Sequence, residues 1–538
     1  MTIKLSVPAP EQNLTVETRP KQVAEWLAAL PLTNLNEASR AILDTLSAMN
    51  RSKLAEDTRL KLLELYRASI TNLMPSLEQQ FAGQPLPLPE KSRLIAAQAR
   101  QMQTELAYGY KIILLEHAGK RLSFGSNKQL PQVAERAIAS LGRMLVVCYQ
   151  TYAPTPAGVW AEMHALFLYA VEQGIQDESV LNLGQQSSVN LAYKQALLLA
   201  LLDPYRLMQG EVNKVLDYLS SFGGHAHLQP LMQTSNPSGF FLVRLDSDKP
   251  PRALAHDSTV TDARTDILLN TIELARLLHQ QIQRLEAGVN PKSLLLPVSA
   301  QQDFGFPNLL RRMLKHWGIA PKRLFNRMQN NARMDISAGI RAIHYFLSGE
   351  TVPATENLPD DQEMPDQDTE ITLELANSPL DKSSHQTFVS SNWLIINESA
   401  GGMALVKDPK TDAHVRVGEI IGLRPEGNEA WNIGVVRWVS SENPNHLQLG
   451  AQMLAPTATP VRVRPVIASV GTQFQPALLL PEIPALKQPT TLLALRGSYQ
   501  PQREFMLEGV DGPQNVRATR LLEQTASFDL FEFTQPQA

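Results

Sequence analysis

The hydrophobic period changes along this chain, and that change limits what it can fold into. From about residue 20 to 225, apolar side chains recur at three- and four-residue spacing. Val23, Trp26, Leu27 and Leu30 share one helical face, as do Ile42, Leu43, Leu46 and Met49. From Thr387 onward the apolar residues fall instead in short strand-like runs, NWLIINESAGGMALV, HVRVGEIIGLRP, EAWNIGVVRWVSS and NHLQLGAQML. Gly, Asn and Pro turns separate these at fairly even intervals, as in a small barrel. One core cannot absorb both textures. At roughly 100–200 residues per domain, 538 residues predict three or four units.

The helical part is well punctuated. QPLPLPEK separates two helical runs, Thr155-Pro156 opens another, and Gly223-Gly224 closes the last. Successive helices imply a bundle or an α-solenoid, and no fixed repeat period is present. Around Ser238 the texture shifts. GFFLVRLDSD reads as a strand, TDILLNTIELARLLHQQIQRLEAG as a helix, SLLLPVS as a short apolar strand and PNLLRRMLKHWG as a second helix, the grammar of a small α/β unit. Residues 351–385 carry nine carboxylates against the single Lys382, with proline and polar residues between, and read as a solvated loop or linker. Beyond Pro460 further strand-like runs follow (VRPVIASV, PALLL, TTLLALRG, EFMLEG, FDLFEF).

Several classes are excluded on chemistry. The net charge of −4 argues against a coat for duplex nucleic acid, which draws most of its affinity from a basic field. Cys148, the only cysteine, sits in the apolar run LGRMLVVCYQTY and reads as a buried small hydrophobe in a reducing compartment. The N-terminus lacks a signal-peptide core, and the apolar run Ala196–Leu202 is far short of the ~20 residues that span a bilayer, so a cytoplasmic protein is expected. No nucleotide-binding P-loop, dinucleotide fingerprint, metalloprotease helix or nucleophile elbow occurs, nor the segments of cyclic dinucleotide cyclases and phosphodiesterases. His225-Ala-His227, the one close histidine pair, has no acidic or Cys neighbour in sequence and reads as a loop. Neither an enzyme nor a metalloprotein is expected.

The informative segment is Asn397-Glu-Ser399-Ala-Gly-Gly402, set between two strand-like runs. An amide can satisfy a guanine edge, a hydroxyl and backbone N–H groups can satisfy phosphate, and glycine permits close approach. The same residues also favour an ordinary Asx turn. The spacing Asn, any residue, Ser, two residues, Gly, flanked by AWNIGVVRWV and LQLGAQML, resembles the PilZ domains over about residues 320–455. The resemblance implies a six-stranded β-barrel that binds cyclic di-GMP, with Asn397, Ser399 and Gly402 in the ligand turn.

It further implies an Arg-x-x-x-Arg segment before the barrel, and Arg323-Leu-Phe-Asn-Arg327 is the single such pair. Guanidinium groups grip phosphate or guanine O6/N7 bidentately and stack on the base. Arg311, Arg312, Lys315, Lys322 and Arg333 surround the pair in sequence. In PilZ domains the arginines lie a few tens of residues before the turn, whereas Arg327 and Asn397 are 397 − 327 = 70 apart. With MDISAGI as the first barrel strand and RAIHYFL as a helix on it, residues 349–385 become an insertion, which loop-closure entropy tolerates.

The expected fold is α+β and multidomain: an N-terminal all-α bundle or solenoid, a small α/β unit, then a PilZ-like six-stranded β-barrel with a β-rich C-terminal extension. The divisions are a flexible N-terminus over 1–19, a helical interaction domain over 20–235, the α/β unit over 236–320, the barrel over 321–456 with the acidic insertion at about 351–385, and the β extension over 457–538. The expected function is a cyclic di-GMP receptor that needs no cofactor and signals through a protein partner held by the helical domain. A PilZ-like adaptor without ligand is the alternative. Single-stranded nucleic-acid binding fits poorly, because basic and aromatic strand positions do not interleave.

Overall fold

The computed structural model describes residues 3–11, 16–119, 128–182, 184–232, 236–254, 265–301, 305–318, 328–349, 388–399, 401–466, 473–484, 488–509 and 512–535. It divides into two units: Met1–Arg327 with His414–Val417 and Arg437–Gly450, and Met328–Ala413 with Gly418–Val436 and Ala451–Ala538.

The first unit begins with helices α1 (Pro20–Ala28), α2 (Leu35–Arg51), α3 (Glu56–Phe81), α4 (Glu90–Gly119), α5 (Leu130–Gln150), α6 (Val159–Glu172), α7 (Val189–Leu201) and α8 (Glu211–Phe222). Local chemistry sets several ends. Asn34 caps α2 by accepting from the Glu37 N–H at 3.3 Å, Ser188 caps α7 by accepting from Leu191 at 3.1 Å, and proline occupies the first turn of α1 and α5. The long α4 packs against α2, α3 and α5. Gly109 on α4 permits that approach, since a Cβ there would stand 2.3 Å from Leu63 Cδ2.

A buried polar network ties these helices to the hairpin β1 (Val180–Asn182) and β2 (Gln185–Ser187). The Glu64 carboxylate accepts from Tyr110 at 2.6 Å and from Arg67 at 3.0 Å, and Arg136 reaches both Glu135 (2.5 Å) and the Leu181 carbonyl (2.8 Å). Burial pushes the Glu64 carboxyl up, but the Tyr110 and Arg67 hydrogen bonds and the Arg136 charge more than offset it and hold it below the usual range. The N-terminal stretch also docks here: Ile3 is buried in the helical core, and the Ser6 N–H donates to Glu162, whose other oxygen holds the buried Lys111 ammonium at 2.7 Å.

Next in the same unit comes a four-stranded antiparallel sheet of β3 (His227–Pro230), β4 (Phe240–Arg244), β5 (Arg252–Ala253) and β6 (Asp266–Asn270), in the order β3-β6-β4-β5. It is followed by α9 (Ile272–Glu286), α10 (Val298–Gln301) and α11 (Phe306–Gly318). Two local expectations fail. DILLN, expected to start a helix, is strand β6, because Leu269 pairs with Leu228 on one side and Phe241 on the other. Cross-strand burial overrides the helical period that continues into α9. SLLLPVS is no strand: it is a 3₁₀ turn, Leu295 at φ +56° and the start of α10. Leu294 and Leu296 reach the core without a ladder while Leu295 is 78% exposed.

The second unit holds β7 (Met328–Gln329), β8 (Arg333–Ala338), α12 (Ile340–Ser348), β9 (Ser391–Ser399), β10 (Gly402–Lys407), β11 (Ile420–Pro425), β12 (Asn432–Asn443) and β13 (His446–Ala455), with parts of the last two strands assigned to the first unit. Their order is β10-β13-β12-β11-β8-β9-β7, and β10 also pairs with β9, closing six strands into a barrel, while β7 pairs with the end of β9 on the side that β8 takes. MDISAGI and RAIHYFL are thus the strand and the helix expected of them. A second closed barrel follows, built from β14 (Thr459–Pro465), β15 (Gln475–Leu480), β16 (Thr491–Leu495), β17 (Glu504–Gly509), β18 (Gly512–Gln524) and β19 (Phe528–Thr534), in the order β14-β15-β16-β19-β18-β17. Ile340 and Ile343 of α12 sit in one core with Ile420 and Val435 of the first barrel and Leu478, Leu493 and Phe528 of the second. No helix among the described residues is long and apolar enough to cross a membrane.

Candidate functional site

Strands β9 and β10 form a hairpin whose register fixes the Asn-x-Ser-x-x-Gly turn: Asn397 lies opposite Ala404, Glu398 opposite Met403, and Ser399 opposite Gly402. The register shifts between Ile395, opposite Leu405, and Asn397, opposite Ala404, so a β-bulge at Ile396 interrupts the alternation of β9 just before the motif, and beyond it Asn397 and Ser399 share one face and Glu398 takes the other. Asn397 is half-buried, and its amide has no hydrogen-bond partner among the described residues. The Ser399 hydroxyl donates to the Gly402 carbonyl at 3.1 Å, tightening the turn. At Gly402 (φ +156°) a Cβ would lie 2.1 Å from the Ala451 carbonyl oxygen, so glycine is demanded by the packing of β10 on its neighbouring strand.

Arg323 and Arg327 lie outside the described residues, as does the acidic segment 351–385. What the structure does describe is the residue bonded to Arg327. Met328 opens β7 and pairs with Glu398, between the two polar motif residues, and Gln329 pairs with Asn397. Asn330 then donates to the Glu398 carboxylate at 2.7 Å, fixing this edge on the motif strand. Met328 is thus paired with the motif strand although 398 − 328 = 70 residues separate it from Glu398 in sequence. In chain order residues 350–387 fall between α12 and β9, after β7 and β8.

The other sequence candidates have structural work. Arg311 donates to Glu286 at 2.8 Å and Arg312 contacts Glu211, which removes both from the free basic cluster. Arg333 bonds the Asn392 amide at 3.1 Å. Within the near-miss Asp335-Ile-Ser337-Ala-Gly339, Asp335 accepts from Arg424 at 2.8 Å and Ser337 is buried in β8, so this is a strand and turn as read. Arg437 is half-buried. Trp393 is fully buried, its indole N–H donating to Ser391 at 2.9 Å, and Trp438 covers Gly450. Cys148 is buried, and burial pushes its thiol up to about 11.

The histidine pair has a partner that sequence spacing hid. His225 and His227 both hydrogen-bond to Glu273 on α9, at 2.7 and 2.9 Å, and those bonds, His227 first, hold the Glu273 carboxyl at about 2. Glu273 is 273 − 227 = 46 residues away, and only the β3–β6 pairing brings it close. Among the described residues no group of three such side chains is suited to a metal ion.

Comparison with known proteins places this architecture. The chain matches the N-terminal domain of the cyclic-di-GMP receptor FimW over residues 21–233, its middle PilZ domain over 240–373 and 352–460, and its C-terminal beta-barrel domain over 461–536. The two pieces of the middle match meet inside the acidic segment. The curated cyclic-di-GMP receptor FimW of Pseudomonas aeruginosa is 28% identical over 577 aligned residues, covering 99% of this chain and 93% of the relative. With helical part, motif-bearing ring and second barrel matched in order along nearly its whole length, the chain belongs to the FimW family of PilZ-domain proteins.

Proposed function

We propose that this chain is a cyclic di-GMP receptor whose binding site is made by Arg323, Arg327, Asn397, Ser399 and Gly402. The observation that carries the reading is the pairing of Met328, the residue after Arg327, with Glu398 in the middle of the turn motif. Guanidinium groups delivered there can grip phosphate and guanine edges, and the Asn397 amide, without a partner among the described residues, can read the base. The name of the Pseudomonas aeruginosa relative supports the same ligand. No catalytic step is part of this role. Ligand would bridge the arginine segment and the barrel turn, and output would pass through protein contacts of the helical part, in the cytoplasm. In this reading the working divisions are the helical domain (20–235), the α/β unit (236–320), the PilZ barrel (321–456) and the C-terminal β part (457–538).

The test is calorimetric titration of cyclic di-GMP into the full chain, into Arg323→Ala/Arg327→Ala and into Ser399→Ala. Each lost charge-assisted contact should weaken binding about tenfold or more, and loss of the serine hydroxyl by less. Failure of the unaltered chain to bind would end the receptor reading. One observation favours a second reading, an adaptor without ligand: Ser399 and Gly402 each have a purely structural reason to be present, the turn bond and the Ala451 approach. An adaptor would show no heat with cyclic di-GMP in any of these samples.

A further inference from the structure

A cavity remote in sequence from the motif turn is built into the first unit. Between the connection from α5 to α6, the turn after α7 and strands β4 and β5 lies a cleft of about 770 Å³. Trp160, Tyr205 and Phe241 supply apolar walls, and Arg206, Arg252 and Lys315 supply positive charge. A cleft of this size and lining is in the range that holds a ligand or peptide.

Its charge is not balanced from within. Asp203, held at φ +51°, is bound to Arg206 at 2.6 Å. A non-glycine residue in that conformation carries strain that its surroundings must sustain. Asp248 is also engaged: it accepts from the Gly158 and Ala161 N–H groups at 2.6 and 3.1 Å, capping α6. Arg252 and Lys315 are exposed and have no hydrogen-bond or ion-pair partner among the described residues. Among the described residues the cleft therefore presents two cations without a paired carboxylate.

The α6 cap also decides between ligand types. The helix N-terminus, the natural phosphate receptor of such a cleft, is already filled by Asp248. What remains open is a strand edge: β5 is the outer strand of its sheet, and its far side is unpaired among the described residues. An open edge beside aromatic pockets takes extended peptides by strand addition.

We propose that this cleft docks an extended, acidic segment of a partner protein. The segment's backbone adds to the edge of β5, its carboxylates pair with Arg252 and Lys315, and its apolar side chains enter between Trp160, Tyr205 and Phe241. This deepens the reading above that the helical part makes protein contacts, and it does not require nucleotide.

The test uses the full chain and three fluorescein-labelled octapeptides that alternate phenylalanine with glutamate, glutamine or lysine, followed by fluorescence anisotropy. The glutamate peptide should bind at least about tenfold more tightly than the glutamine peptide, with affinity falling as salt rises. Arg252→Glu/Lys315→Glu should reverse the preference in favour of the lysine peptide. Equal binding of all three peptides, no binding of the glutamate peptide, or an unchanged preference in the double variant would overturn the proposal. Circular dichroism checks that the variant folds, and cyclic di-GMP titration of the same variant should match the unaltered chain. Lost nucleotide binding in that variant would mark the cleft as part of the nucleotide site and also overturn the proposal. Intact peptide binding by a chain that takes no nucleotide would sink only the receptor reading.

Discussion

The ring of Tyr345, in the last turn of α12, lies 5.6 Å from that of Phe388, which precedes β9 on the far side of the acidic segment. Phe346 stacks on Trp431 at 5.0 Å, the Arg424 guanidinium lies over the same Trp431 ring at 4.7 Å, and Arg424 also holds Asp335 of β8. The flanks of residues 350–387 are thus clasped on one patch of the barrel, which is how a long insertion coexists with a closed ring of strands.

Because the clasp holds those flanks together, replacing residues 351–385 with a Gly/Ser linker of about eight residues should leave the fold intact. Loop-closure entropy changes by only about 0.6 kcal/mol per halving of length, so stability should shift by about 1 kcal/mol. Thermal unfolding reads this directly. Loss of a cooperative transition would mean that the segment itself helps build the barrel.

Gly402 and Asn397 should separate when they are substituted. Gly402→Ala drives a methyl group into the Ala451 carbonyl, and steric insertion of this kind costs about 1–3 kcal/mol or more. Asn397→Ala removes an amide without a partner among the described residues, so stability should stay within about 0.5 kcal/mol, while cyclic di-GMP affinity drops about tenfold. Urea denaturation and calorimetry together check both. An Asn397 variant that loses stability and keeps its affinity would make that residue a turn former only.

His164 gives the helical part a dependence on pH. It is fully buried, with Nδ1 2.6 Å from the Tyr193 hydroxyl and Nε2 2.9 Å from the Lys249 carbonyl. Burial lowers its pKa below the ordinary 6.5, with the Lys249 carbonyl and nearby aspartates opposing. The unfolded chain therefore takes up the proton first. Stability is full above pH 6.5 and is lost as pH falls from 6.5 towards the depressed value. The urea midpoint should fall over that interval, and His164→Gln should flatten the slope. An identical slope in the variant would assign the titration elsewhere.

Local pattern reached a long way here. Helical spacing from Val23 to Phe222, the strand runs after Thr387, MDISAGI as a strand and the Asn397 hairpin were all legible, because each depends on neighbours a few residues away. Asp266–Asn270 was misread for the complementary reason. DILLN suits a helix or a strand by itself, and only Leu228 and Phe241 on adjacent strands decide between them. The Glu273 partner of the histidine pair was invisible on the same ground.

The sequence alone determined most element types, the family resemblance and the residue types able to meet an anionic purine, since composition, period and spacing carry those. Tertiary structure decided what lies beside what. Strand pairing set Met328 against Glu398, closed two separate barrels on either side of α12, and turned Gly402 into a packing requirement. Those outcomes rest on contacts between residues far apart in the chain, whose pairing is selected by the burial and hydrogen bonding of the whole fold and leaves no local period to read.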